Sequence, residues 1–215
     1  LILQGSTSGS VTLQEPAVAG TTVLDLPATS GNVVVDSATQ TLTNKTLTSP
    51  TIGGTPTGVG VLTSMTAQAS TIGTSIDFIS IPSWVKRITV MFKNVSLSGN
   101  AEKLIQLGTS SGVTTSGYQS NSVIVYGTNS VIIASNATGF LIRSDQPLEE
   151  INGHYVFTLI GSNGWVGSSI VENYSDRCWF GAGRVDLAAT LDRVRITSTN
   201  GTDTFDAGTI NILYE

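Results

Sequence analysis

The sequence predicts an all-β chain: an extended β shaft followed by a β-sandwich head of jelly-roll-like type. Three observations lead there. Short runs of Val, Ile, Thr and aromatic residues alternate with Gly, Asn and Ser, the pattern of strands and turns. No stretch keeps a helical period, and the longest helix-tolerant piece, Val185 to Asp192, spans about two turns. Part of the opening region also repeats on a five-residue spacing that the rest of the chain lacks.

Residues 2–35 read as short strands punctuated by Pro16, Gly20 and Pro27, positions where a missing donor or a free φ is tolerated. Gln40 to Gly54, QTLTNKTLTSPTIGG, then places Leu42, Leu47 and Ile52 at every fifth position. The threonines beside them are β-branched, which stiffens χ1 and favours extended backbone. Asn44-Lys45 and Ser49-Pro50 between them are turn chemistry. A single copy of this stretch buries almost nothing, too little to offset the entropy of ordering it. It is therefore either a linker or a repeat whose copies wrap round a common axis and pool their apolar residues. Residues 53–60, GGTPTGVG, hold four glycines and a proline and mark the boundary between a shaft (1–58) and a head (59–215).

Thr41 to Ile52 resembles, nearly letter for letter, the T-L-T-N-K-T-L-T-S-P-T-I segment of tail fibres of tailed bacteriophages. GSTSGSVTL near the start, with PAVAGT and LPA after it, is similar to shaft repeats of the same family. The resemblance implies an intertwined homotrimeric shaft with Leu42, Leu47 and Ile52 on the trimer axis.

The head pattern starts near Val61. Ile76 to Ile81 alternates, Pro82-Ser83-Trp84 is a turn, and Arg87 to Phe92 is a strand with Ile88, Val90 and Phe92 on one face. Further strands are expected at 104–107, 122–126, 131–134, 140–143, 155–160, 165–171, 193–197 and 209–214. Ser162-Asn163-Gly164 is a tight hairpin signal. About ten strands in about 150 residues is the spacing of a sandwich. Phe78 to Phe92 and Leu191 to Glu215 resemble the C-terminal head of phage tail-fibre proteins, whose N-I-L-Y-E type of ending implies a native terminus at Glu215. Leu1, which is not Met, reads as a cut point in a longer protein.

Composition narrows the function classes. The chain is 40% hydrophobic and only 12% charged, with Ser and Thr at about a quarter, so it is a folding composition rather than a disordered one. A net charge of −5 argues against a nucleic-acid backbone binder. Arg193 and Arg195 share a strand face, as a small basic patch or a solvated sheet face. The lone Cys178 excludes an intrachain disulfide framework, and no secretory signal or spanning segment is present in the sequence.

Catalytic constellations are weak. His154 and Cys178 would need hydrogen-bond reach and an orienting group such as Asp176, which nothing local enforces. Glu149 and Glu150 are adjacent, so in a strand they face opposite sides and form no glycosidase pair; a pair from distant loops stays open. Asn200, Asp203 and Asp206 offer calcium-type oxygens, but Asn-Gly-Thr-Asp is ordinary turn chemistry, and no metal or cofactor is expected.

Aromatics in polar loops are the better binding candidates, because sugar faces stack on Trp and Tyr while Asn and Asp bond the rims. The receptor-binding candidates are Tyr118 in SGYQSNS, Trp165 after the hairpin turn, and Tyr174 with Asn173, Asp176 and Arg177 in ENYSDR. Phe92, Phe157, Trp84 and Trp179 are expected in the core. The resemblance implies a non-enzymatic receptor-binding tip in the virion. Its partners would be further copies of itself, an upstream fibre or baseplate protein, and a host polysaccharide or outer-membrane receptor. The alternatives are a depolymerase acting on host surface glycans and a purely structural fibre or connector.

Overall fold

The computed structural model describes residues 2–4, 7–12, 46, 48, 50, 62–126, 131–143, 149–173 and 177–215. The chain divides into two compact units, Leu1–Ile52 and Gly53–Glu215. In the first, β1 (Ile2–Gln4) pairs antiparallel with β2 (Ser10–Thr12), Leu3 opposite Val11, and Gly9 adopts φ 76° before β2. Leu42, Leu47 and Ile52, expected on a trimer axis, lie outside the described residues.

The second unit is all-β, with antiparallel ladders and no helix among the described residues. Its strands are β3 (Thr63–Ser64), β4 (Gln68–Ala69), β5 (Ser75–Phe78), β6 (Arg87–Leu97), β7 (Lys103–Thr109), β8 (Gly112–Val113) and β9 (Gln119–Tyr126). They continue with β10 (Val131–Asn136), β11 (Phe140–Ile142), β12 (Ile151–Gly161), β13 (Gly164–Asn173), β14 (Arg177–Asp186), β15 (Arg193–Ser198) and β16 (Phe205–Tyr214). A nine-stranded sheet runs β10-β9-β14-β13-β12-β6-β16-β3, with β4 also on β16. A five-stranded sheet runs β11-β7-β15-β5, with β8 on β7.

Alternation explains most strands. In β6, Ile88, Val90 and Phe92 point inward, and in β13 Trp165 and Val171 do the same. Both sheets feed one core, which joins these residues to Ile105 and Leu107 of β7 and to Val194 and Ile196 of β15. Burying a side chain of this size stabilises the fold by about 1.5–3 kcal/mol relative to leaving it exposed. Phe140 of β11 meets Tyr118, Tyr155 and Phe157 at ring distances of 5.2, 5.5 and 4.8 Å, and Tyr155 stacks on Phe157 at 4.6 Å. Gly167, opposite Phe157, leaves those rings their space: a Cβ there would come within 2.6 Å of the Phe157 ring.

Two inward serines of β9 tie the sheets together. Ser120 Oγ accepts the Leu141 N–H at 2.9 Å and Ser122 Oγ accepts the Arg143 N–H at 3.2 Å. The free edge of β11 is thereby capped by the larger sheet, which removes unpaired donors that would otherwise be costly. The hairpin from β12 to β13 turns through Ser162 (φ 45°) and Asn163 (φ 65°), both left-handed as a type I′ turn requires.

The sequence pattern shows no strand over 177–186, yet β14 lies in the large sheet between β9 and β13. Gly181 and Gly183 mask it, because glycine is a poor strand former. Both are needed: a Cβ on Gly181 would press on Ser169 Oγ, and one on Gly183 on the Gln119 carbonyl and the Phe140 ring. Phe92, Phe157 and Trp179 are buried as expected, but Trp84 is not. It is 36% exposed in the turn before β6 and packs on Tyr214 at 5.7 Å.

Candidate functional site

The six candidate binding residues separate into three groups. Tyr118 and Trp165 are in the core, at 3% and 2% exposure, so neither offers a ring face to solvent. The Tyr118 hydroxyl accepts the Leu107 N–H at 2.8 Å and lies 3.2 and 3.0 Å from the carbonyls of Leu107 and Thr114. Burial pushes its phenol pKa up, partly offset by the bond to Leu107. Both rings therefore serve packing rather than sugar stacking, because the inward positions of β13 and of the turn before β9 face the second sheet. Tyr174 and Asp176 lie outside the described residues.

Asn173 and Arg177, which end β13 and begin β14, do come together. Both reach Glu149 Oε1, Asn173 through Nδ2 and Arg177 through Nη1, each at 2.7 Å. Asn173 Oδ1 also accepts the Arg177 N–H at 3.1 Å. Lys103 Nζ, 2% exposed as a residue, donates to the Glu149 carbonyl at 3.0 Å. Burial lowers the Lys103 pKa from 10.5 to about 8, against the opposing pull of Glu149 and Asp206. This is a charged clamp at the end of the sheets. Its geometry holds backbone in place, since Glu149 gathers two side chains that are themselves largely buried.

An open groove of about 500 Å³ runs beside the β9–β10 pair, lined by Gln119, Asn121, Ser135 and Asn136 among others. Asn136 Oδ1 is occupied by Thr138 N–H at 2.7 Å, Thr138 hydroxyl at 2.8 Å and Gly139 N–H at 3.1 Å. Gln119 Oε1 accepts Arg184 Nε at 3.1 Å. Asn121 and Ser135 sit opposite each other in the ladder, and their side chains make no hydrogen bond within the described chain. The groove thus presents amide and hydroxyl groups and no ionisable side chain apart from the buried Tyr118. Such a set can donate and accept toward a neutral, hydroxyl-rich ligand. The alternation of Gln119, Asn121 and Val123 places their side chains on one face from sequence alone. The register that brings Ser135 across from Asn121 is a tertiary fact.

Other sequence candidates resolve locally. Arg195 clamps Asp77 with Nε and Nη2 at 2.7 and 2.9 Å, and Arg193 reaches Asp192 at 3.1 Å, so the two arginines are neutralised by pairing. His154 and Cys178 lie on β12 and β14 with β13 between them, two strand spacings across and two residues along, about 12 Å apart. Asn200 Oδ1 accepts the N–H groups of Thr202 and Asp203, both at 3.0 Å, and its amide donates to Asp203 Oδ1 at 2.8 Å. The bonds to Asn200 Oδ1 make the segment a turn, and the Asn200 amide, with the Ala101 N–H, lowers the Asp203 pKa. Among the described residues, no three His, Cys, Asp or Glu side chains are grouped to hold a metal.

Comparison with protein-family models, curated proteins and solved structures finds no match.

Proposed function

We propose that this chain is the distal part of a bacteriophage tail fibre, a homotrimeric attachment protein of the virion that binds a polysaccharide on the host surface. The observation that carries the reading is the uncharged groove with Asn121 and Ser135 free to hydrogen-bond. A sugar offers hydroxyls at the spacing of such groups, and a groove without charge imposes no ionic requirement on its ligand. The shaft-like segment Thr41 to Ile52 and the all-β second unit, taken as a sandwich head, are consistent with this assignment. Several weak sites on one fibre raise avidity with no new contact.

The test is binding of the purified chain to host surface polysaccharide by biolayer interferometry. Asn121→Ala with Ser135→Ala should weaken each site about tenfold, the loss of one to two hydrogen bonds. Unchanged affinity in the double variant would remove the groove as the site. Release of reducing ends during the assay would move the protein to the depolymerase reading.

A further inference from the structure

We infer that the outer face of the large sheet, at its β10–β9–β14–β13 end, is a contact surface for a second copy of this chain. Register aligns Ile133, Val123, Phe180 and Ile170 in one row across these four strands, all pointing away from the core. The next row adds Val131, Val125 and Cys178 and ends at Glu172 on β13. Ile133 is 69% exposed, Ile170 56% and Phe180 43%. These seven side chains make an apolar centre about 20 Å long in its first row and about 14 Å in its second, the scale of the buried core of an interface.

The flanks have the anatomy of an interface rim. The seven apolar side chains carry no charge; Glu172 closes their second row on β13, and Arg184 and Asp186 stand beyond the neighbouring polar row. Contiguous apolar surface bounded by polar residues marks association sites on soluble proteins. The occupant follows from charge. The chain carries net −5, so two copies repel unless they meet on uncharged surface, and a centre with no charged group is complementary to itself. The edge strand β10 adds a second argument. Ile132, on its other face, is also 40% exposed, and the strand has no Pro or charged residue to block pairing. A defined partner copy covers what would otherwise be an aggregation edge. Asn121 and Ser135 lie in the row next to the centre, at the rim, which leaves the groove open beside the contact.

This inference rests on the reading of the chain as a self-associating attachment protein, and Cys178 supplies a native probe that separates the two. Cys178 is the single cysteine, and it is exposed in one copy. The experiment follows the reaction of the full chain with a bulky maleimide, alongside its mass by light scattering. The comparison variants are Ile133→Asp with Ile170→Asp, and Ile72→Asp, an exposed residue outside the large sheet, as control. Cys178 in the wild type should label about tenfold more slowly than in the double variant, the protection of a desolvated interface centre. The control should label like the wild type, and circular dichroism should be the same for all three. Equal labelling rates in a wild type that is larger than one 22.4 kDa chain would overturn this face while leaving self-association intact. A wild-type mass of one chain would overturn the contact altogether, and glycan binding by that monomer would leave the attachment reading standing.

Discussion

The two faces of the large sheet differ less in composition than in what covers them. Trp179 and Phe180 are neighbours in β14, Ile124 and Val123 in β9, Val171 and Ile170 in β13. In each pair the first is fully buried against the smaller sheet and the second is part of the outer row. Both faces are apolar at their centres, and only the inner one is sealed within a single chain. Burial is thus a property of the covering surface, and alternation alone puts apolar side chains on a face that the second sheet does not cover.

That contrast can be broken most directly at Trp179 and Phe180. Trp179→Ala should cost about 3–5 kcal/mol of stability, the range for large aromatic truncations in a core, whereas Phe180→Ala should cost the single protomer about 0.5 kcal/mol or less. Urea unfolding at low protein concentration measures both, and comparable losses would mean the outer face is sealed within the chain.

Next in size is the charge enclosed between the sheets. At pH values below about 8 Lys103 is protonated in both states, and the folded state bears the cost of the buried ammonium. As pH rises through about 8 the folded chain sheds that proton while the unfolded chain holds it up to about 10.5. Stability should therefore rise by up to about 3 kcal/mol between pH 8 and 10 and be lost again as pH falls. Tyr118 and Tyr155 act in the opposite sense above pH of about 10, because burial raises both phenols and only the unfolded chain ionises freely. The urea midpoint of the wild type should thus peak near pH of about 9.5. Lys103→Met should abolish the rise and keep the fall, and a wild-type profile flat from neutrality upward would refute the assignment.

Gly167→Ala, on the inner face, should cost about 1–3 kcal/mol, since the added methyl meets the Phe157 and Tyr155 rings. Thermal unfolding separates this from a harmless substitution. A smaller inner-face effect is expected of Ser120→Ala, about 1–2 kcal/mol, from leaving the buried Leu141 N–H without its acceptor. Asn121→Ala, the adjacent residue on the outer face, should leave the same melting curve unchanged.

Most strands are legible because alternation is a local signal with a two-residue period. The β12–β13 turn is legible too, since Ser162 and Asn163 stand where left-handed backbone is needed and Asn takes it readily. β14 is not legible, because Gly181 and Gly183 were set by crowding from Ser169, Gln119 and Phe140, none of them close in sequence. The candidate site divides the same way. An aromatic in a Ser- and Gly-rich segment signals exposure, yet Tyr118 turns inward to meet Leu107 and Phe140. Trp84, expected in the core as a large aromatic, stays exposed in its turn against Tyr214.

From the sequence come the all-β class of the second unit, the course of ten of its fourteen described strands, and how one tight turn is made. These follow from backbone geometry and neighbouring side chains. Only the tertiary structure decided which face of each strand is covered, that Asn173 and Arg177 converge on Glu149, that Arg193 and Arg195 are paired, and that Asn121 meets Ser135. Each depends on register between strands distant in the chain, and a period of two marks two faces without saying which one a second layer will cover.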